Sequence, residues 1–89
     1  MSAIFRIRYL YSETVGGRAG KSLNTGEFTL LQREIQSFVR NATKLNLKVT
    51  AIHNHWLFDK PKLMYVHLKS VENPIVFARK VASLLKRLN

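Results

Sequence analysis

Residues 49–56 and 63–69 alternate in side-chain character on either side of a short segment containing Asp59 and Pro61. Runs rich in Val, Ile, Thr, Tyr and Trp, joined by such a segment, read as a β-hairpin. Strand side chains point to alternate faces, so the pairing register decides which residues share a surface. A loop centred near Lys60 sets His53 opposite His67 and His55 opposite Tyr65. Ile52, Trp56, Met64, Val66 and Leu68 then share an apolar face. Val49, Ala51, His53, His55, Tyr65, His67 and Lys69 occupy the other.

All three histidines of the chain lie in this hairpin. A His-x-His pair on one strand and a third His on its neighbour form an arrangement that holds Zn²⁺ or a similar metal. Three imidazoles leave a fourth position for water. The candidate metal ligands are therefore His53, His55 and His67, and Tyr65 joins them as a ligand-binding residue. Opposing this, no carboxylate lies close in sequence to support the imidazoles; Asp59 falls in the loop and Glu72 beyond the strand. The competing reading is that the histidines hydrogen-bond within the sheet or at an interface. Tyr65 beside His55 resembles an acid–base pair, but Thr50 and Ser70 belong to no nucleophile motif. No catalytic residue is assigned, and the pattern favours binding over turnover.

The run Val49-Thr50-Ala51-Ile52-His53-Asn54-His55-Trp56-Leu57, followed by Pro61-Lys62-Leu63-Met64-Tyr65-Val66-His67, resembles the signature of the bacterial LppY/LpqO family, whose function is unknown. The resemblance extends from about Gly26 to the C-terminus. Members of that family are longer, with two related halves, and this chain corresponds to one half. The resemblance implies a fold more than a reaction, and it implies an exported protein.

Eighty-nine residues with a 46% hydrophobic share make one folded domain, residues 1–89. No apolar run approaches the ~20 residues that span a bilayer. Charges interrupt the apolar N-terminal stretch, so it is no signal peptide, and the sequence itself reads as cytoplasmic. The absence of cysteine excludes disulfides. Fifteen Lys and Arg against five acids give a formal charge of +10, which attracts phosphates, acidic surfaces or small anionic ligands. The basic residues are scattered and form no tail.

Ile4 to Tyr11 reads as a strand with Phe5, Ile7, Tyr9 and Tyr11 on one side and Arg6 and Arg8 on the other. Residues 12–26 hold all four glycines and read as a flexible, basic loop. Gly20-Lys21-Ser22 imitates the end of a phosphate-binding loop, but Val15 stands where that loop needs glycine, and Leu23-Asn24-Thr25-Gly26 does not open a helix. Residues 27–31 read as a strand. Ile35, Phe38, Val39, Ala42 and Leu45 form a helical stripe from Gln32 to Leu45, which Asn46 ends in a left-handed conformation. Asn73-Pro74 starts a second helix, with Phe77, Ala78, Val81, Leu84, Leu85 and Leu88 as its stripe.

The order ββαββα predicts an α+β two-layer sandwich, an antiparallel sheet with both helices on one face. The uncovered face, with Val49, Ala51, Tyr65 and Val71, predicts a homodimer. Three function classes fit: a binding or self-associating domain, a metal-dependent protein, and a nucleic-acid binder using Arg6, Arg8, Lys69 and Tyr65. The aromatic and glycine signature of sheet-type RNA modules is absent, which disfavours the last.

Overall fold

The computed structural model describes residues 6–15, 20–54 and 63–88. Four strands form one antiparallel sheet: β1 (Ile7–Thr14), β2 (Ser22–Leu31), β3 (Lys48–Asn54) and β4 (Leu63–Glu72). Helix α1 (Ile35–Lys44) separates β2 from β3, and α2 (Pro74–Lys86) follows β4. The spatial order β1-β2-β4-β3 makes the ten-residue strands β2 and β4 the centre of the sheet and leaves β1 and β3 as edges. The expected α+β class and ββαββα order are those of the structure.

Alternation in the two central strands builds the core. Phe28 pairs with Val66 and Gly26 with Leu68, so these even-numbered residues share a face. Phe28, Leu30, Val66 and Leu68 are buried there in one cluster with Phe38 and Ala42 of α1, Leu47, and Phe77, Val81, Leu84 and Leu85 of α2. Phe28 and Phe38 meet with ring centroids 5.5 Å apart. Leu10 and Phe28 pack over Gly26: a Cβ there would stand 2.9 Å from both Leu10 Cδ2 and Phe28 Cζ, so any side chain would push them aside.

The helix ends follow local chemistry. Gln32–Glu34 forms a 3-10 turn, so α1 begins at Ile35, three residues later than its stripe predicts. Asn46 takes the left-handed conformation (φ 60°) that was expected of it. The Asn46 and Leu47 amides then donate to the carbonyls of Thr43 and Ala42, both at 3.0 Å, closing the helix end. At the start of α2, the Asn73 side chain accepts from the amides of Ile75 (2.8 Å) and Val76 (3.4 Å) ahead of Pro74.

Several expectations need correction. The segment 12–26 is not a loop throughout. Ser12, Glu13 and Thr14 pair with Asn24, Leu23 and Ser22, and Asn24 is completely buried. There the Asn24 Nδ2 group donates to the carbonyls of Ser22 (3.2 Å) and Glu72 (3.0 Å), and its Oδ1 accepts from Ser12 Oγ (2.6 Å). Gly20, at φ 82°, leads into a strand and not a helix, which disposes of the phosphate-loop imitation.

In β1, Ile7 pairs with Phe28 but Tyr9 with Glu27, so a bulge at Arg8 breaks the alternation. Ile7 and Leu10 stay with the core, whereas Tyr9 joins the opposite face. Arg6 does not lie free on a surface: it is buried and paired with Glu34. Ile52 was expected in the core but is 43% exposed, because β3 is an edge strand.

A candidate metal centre on the odd-numbered sheet face

The hairpin register differs from expectation by two residues. His53 pairs with Tyr65, and Ala51 with His67, which centres the connection on residue 59. An even shift preserves the faces, so His53, Tyr65 and His67 still share one side. His53 becomes a diagonal neighbour of His67, within reach of its ring. A second irregularity lies at Thr50, between the pairs Val49–Leu68 and Ala51–His67. It turns Val49 to the core, where it packs against the buried cluster, and removes it from the histidine face.

The decisive residue is one that the sequence did not single out. Glu27 of β2 pairs directly with His67 of β4 and is 8% exposed. Its Oε1 lies 2.7 Å from His67 Nε2 and 3.6 Å from His53 Nε2. The two Nε2 atoms are 3.1 Å apart. One carboxylate oxygen and two imidazole nitrogens thus converge on a common point. Two ligand atoms bound tetrahedrally at ~2.0–2.1 Å from a zinc-like ion stand ~3.3–3.4 Å apart, close to these separations.

Surrounding groups orient the donors. With hydrogen on Nδ1, His53 donates to the Asn54 carbonyl at 3.3 Å, and its Nε2 keeps a lone pair for the centre. The His53 ring meets Tyr65 edge-on, with centroids 5.2 Å apart. The Arg8 guanidinium lies 4.2 Å from the Tyr65 ring centroid, and Arg8 Nε sits 3.5 Å from Glu27 Oε2. Arg8 therefore holds the outer oxygen of the carboxylate while the inner one faces the histidines. Lys48 and Lys69, a cross-strand pair, lie on the same face. The His53 and His67 side chains are 50% and 27% exposed, so water reaches the centre.

Of the expected site residues, His53, Tyr65 and His67 come together. His55 lies outside the described residues, as do Trp56 and Asp59. The sequence did carry a signal for Glu27. Among the acids at 13, 27, 34, 59 and 72, only Glu27 falls within a run read as a strand, as the first residue of 27–31. A carboxylate at such a position has to meet something across the sheet. Pairing of β2 with β4 spans about forty residues of chain, and hairpin reasoning alone does not supply it.

The family profile described as Domain of Unknown Function (DUF1259) matches residues 9–87, nearly the whole chain. The chain belongs to this family. No curated protein and no solved structure matches it significantly. Among the described residues, no helix is long and apolar enough to cross a membrane.

Proposed function

We propose that this member of the DUF1259 family is a metal-binding domain whose sheet face takes a divalent transition ion through Glu27, His53 and His67. The observation that carries this reading is the convergence of Glu27 Oε1 with the two Nε2 atoms at 2.7, 3.1 and 3.6 Å. Two imidazoles with one carboxylate favour zinc, cobalt, nickel or iron over the harder magnesium and calcium. Three protein donors leave further positions for water or a ligand. Arg8 and the Lys48–Lys69 pair beside the centre suit an anion as that ligand. The resemblance of the His53–His67 stretch to the LppY/LpqO signature supports placing function on this face.

In the metal-free network, a hydrogen on His67 Nε2 bridges to Glu27 Oε1. A metal ion needs the Nε2 lone pair, so the hydrogen that bridges His67 to Glu27 has to leave that nitrogen, by a change of tautomer to Nδ1, before the ion is held. The reading adds Glu27 to His53 and His67 and assigns no role to His55, which lies outside the described residues. It assigns binding and names no reaction.

The test is a titration of chelator-treated protein, made without a histidine tag, with Zn²⁺, Ni²⁺ and Co²⁺. One equivalent should bind, with Co²⁺ giving the visible absorption of a low-symmetry site, and His53→Ala or His67→Ala should remove it. Folded wild-type protein that takes up none of the three ions would refute the proposal.

A further inference from the structure

Edge strand β1 is exposed along nearly its whole length, and its centre is apolar on both faces. Tyr9, Leu10 and Tyr11 are 43%, 42% and 56% exposed. Leu10 lies on the core side, beside a groove of about 400 Å³ lined also by Ile7, Ala78, Val81, Ala82 and Leu85. Tyr9 and Tyr11 lie on the side of Glu27 and Thr25, their partners in β2. Among the described residues nothing pairs with the outer side of β1, so its backbone groups lie open beside apolar side chains. Natural sheets usually blunt such edges with proline, central charge or a bulge. The bulge here sits at Arg8 and leaves residues 9–14 regular. Between Ile7 and Thr14 there is no proline, and the only charges are Arg8 and Glu13, towards the two ends.

We infer that β1 is the self-association strand of this protein, pairing antiparallel with β1 of a second copy about a twofold axis at Leu10. A twofold axis normal to the sheet brings like face beside like face, which restricts the register to even sums of residue number. Centring on Leu10 sets Leu10 against Leu10 and each Tyr9 against the Tyr11 of the other copy. The same register sets Glu13 of each copy opposite Ile7 and next to Arg8 of the other, and the bulge at Arg8 turns that arginine to the face that Glu13 shares. Parallel pairing would instead set Arg8 beside Arg8 and Glu13 beside Glu13. The apolar, aromatic and charged residues of β1 are thus complementary to themselves in one register. The product is a continuous eight-stranded sheet that keeps both Glu27–His53–His67 faces on one side. It differs from a dimer in which the histidine faces meet.

The chain has no cysteine, so a single one reports cleanly. Residues directly opposite across an antiparallel pair have Cα atoms ~4.5–5.5 Å apart, within disulfide range. Leu10→Cys should cross-link to a covalent dimer under mild oxidation, whereas Val71→Cys on β4 should not. Sedimentation at micromolar concentration should show wild type at about twice 10.3 kDa, and Leu10→Lys, which faces two ammonium groups at the axis, as monomer. Glu13→Arg should raise the dimer dissociation constant at least tenfold, with circular dichroism confirming the fold of each variant. A wild-type monomer at 100-fold higher concentration, or a dimer unaffected by Leu10→Lys and not cross-linked by Leu10→Cys, overturns the inference.

Discussion

Two carboxylates of similar burial, each held by an arginine from the start of the chain, do opposite work. Glu34 is paired with Arg6 through two parallel hydrogen bonds, Nη1 to Oε1 at 2.6 Å and Nη2 to Oε2 at 2.9 Å. Its Oε1 also accepts from the Leu31 amide at 2.8 Å. Glu27 meets Arg8 at one oxygen only, at 3.5 Å, and turns the other to two imidazoles. The side-chain exposures are nearly equal, 13% for Glu34 and 10% for Glu27. Burial therefore does not separate a structural carboxylate from a ligand; the completeness of its hydrogen bonding does. The fork-to-fork pair at Glu34 ties the residue before β1 to the turn before α1 and engages both carboxylate oxygens. Glu27 retains donor capacity, and its neighbours present nitrogens that can also bind a metal.

The largest effect should come from breaking the closed pair. Arg6→Ala leaves the Glu34 carboxylate without its paired guanidinium, with only the more distant charge of Arg33 to offset it, and should cost about 3–5 kcal/mol in urea unfolding. Glu34→Gln leaves the Arg6 guanidinium, whose side chain is only 4% exposed, without its carboxylate and should cost about as much. A Glu34→Gln cost near zero would mean that Arg6 matters only as packing.

The open carboxylate should respond in the opposite way. Glu27→Gln keeps the shape but removes the anionic donor, so stability of the metal-free protein should change by only about 1 kcal/mol. Metal affinity should fall by more than the ~10–100-fold typical for loss of a mere supporting residue. Calorimetric titration of Zn²⁺ beside urea unfolding measures both. A variant that keeps wild-type affinity would remove Glu27 from the ligand set.

The same division explains what was legible in the sequence. Faces survived a register error because the slip at His53–Tyr65 was even. Helix boundaries at Asn46 and Asn73-Pro74 were legible because capping is a local property of the chain. The bulges at Arg8 and Thr50 had no local signal, and they moved Tyr9 and Val49 to the faces opposite those expected. The glycines of residues 12–26 suggested a loop, whereas Gly26 lies within β2 because Leu10 and Phe28 pack over it. Of the candidate site, the two histidines were legible through their spacing. Glu27 was not, since it reaches the centre through pairing between strands distant in sequence, whereas Arg8 was expected on a sheet face with Tyr65 and lies over its ring.

Acid tests the closed pair directly. Burial alone would raise the Glu34 carboxyl, but the Arg6 hydrogen bonds, the Leu31 amide and the charges of Arg6 and Arg33 outweigh it. The net effect holds it below the ordinary value of 4.5. A carboxylate depressed on folding contributes stability that is fully present above its unfolded pKa and is lost as the pH falls through its folded one. Urea midpoints of the wild type should therefore decline from about pH 4.5 downwards more steeply than those of Glu34→Gln. Parallel acid limbs would contradict the pairing.

The smallest effect, and the sharpest for the comparison, belongs to Arg8. Its side chain is 43% exposed, so its contact with Glu27 and its place over Tyr65 together contribute only about 1 kcal/mol to the fold. Its influence on a bound ion should be of similar size and unfavourable. A positive charge paired with the outer oxygen of the same carboxylate, in partly aqueous surroundings, opposes binding of a divalent ion by roughly 1 kcal/mol. Arg8→Gln should therefore tighten Zn²⁺ about fivefold, with the gain shrinking as added salt screens the charge. Weaker binding in Arg8→Gln would mean that the guanidinium orients Glu27 as Arg6 orients Glu34. The two arginine–carboxylate pairs would then differ only in degree, and the open oxygen of Glu27 would no longer distinguish a ligand from a structural anchor.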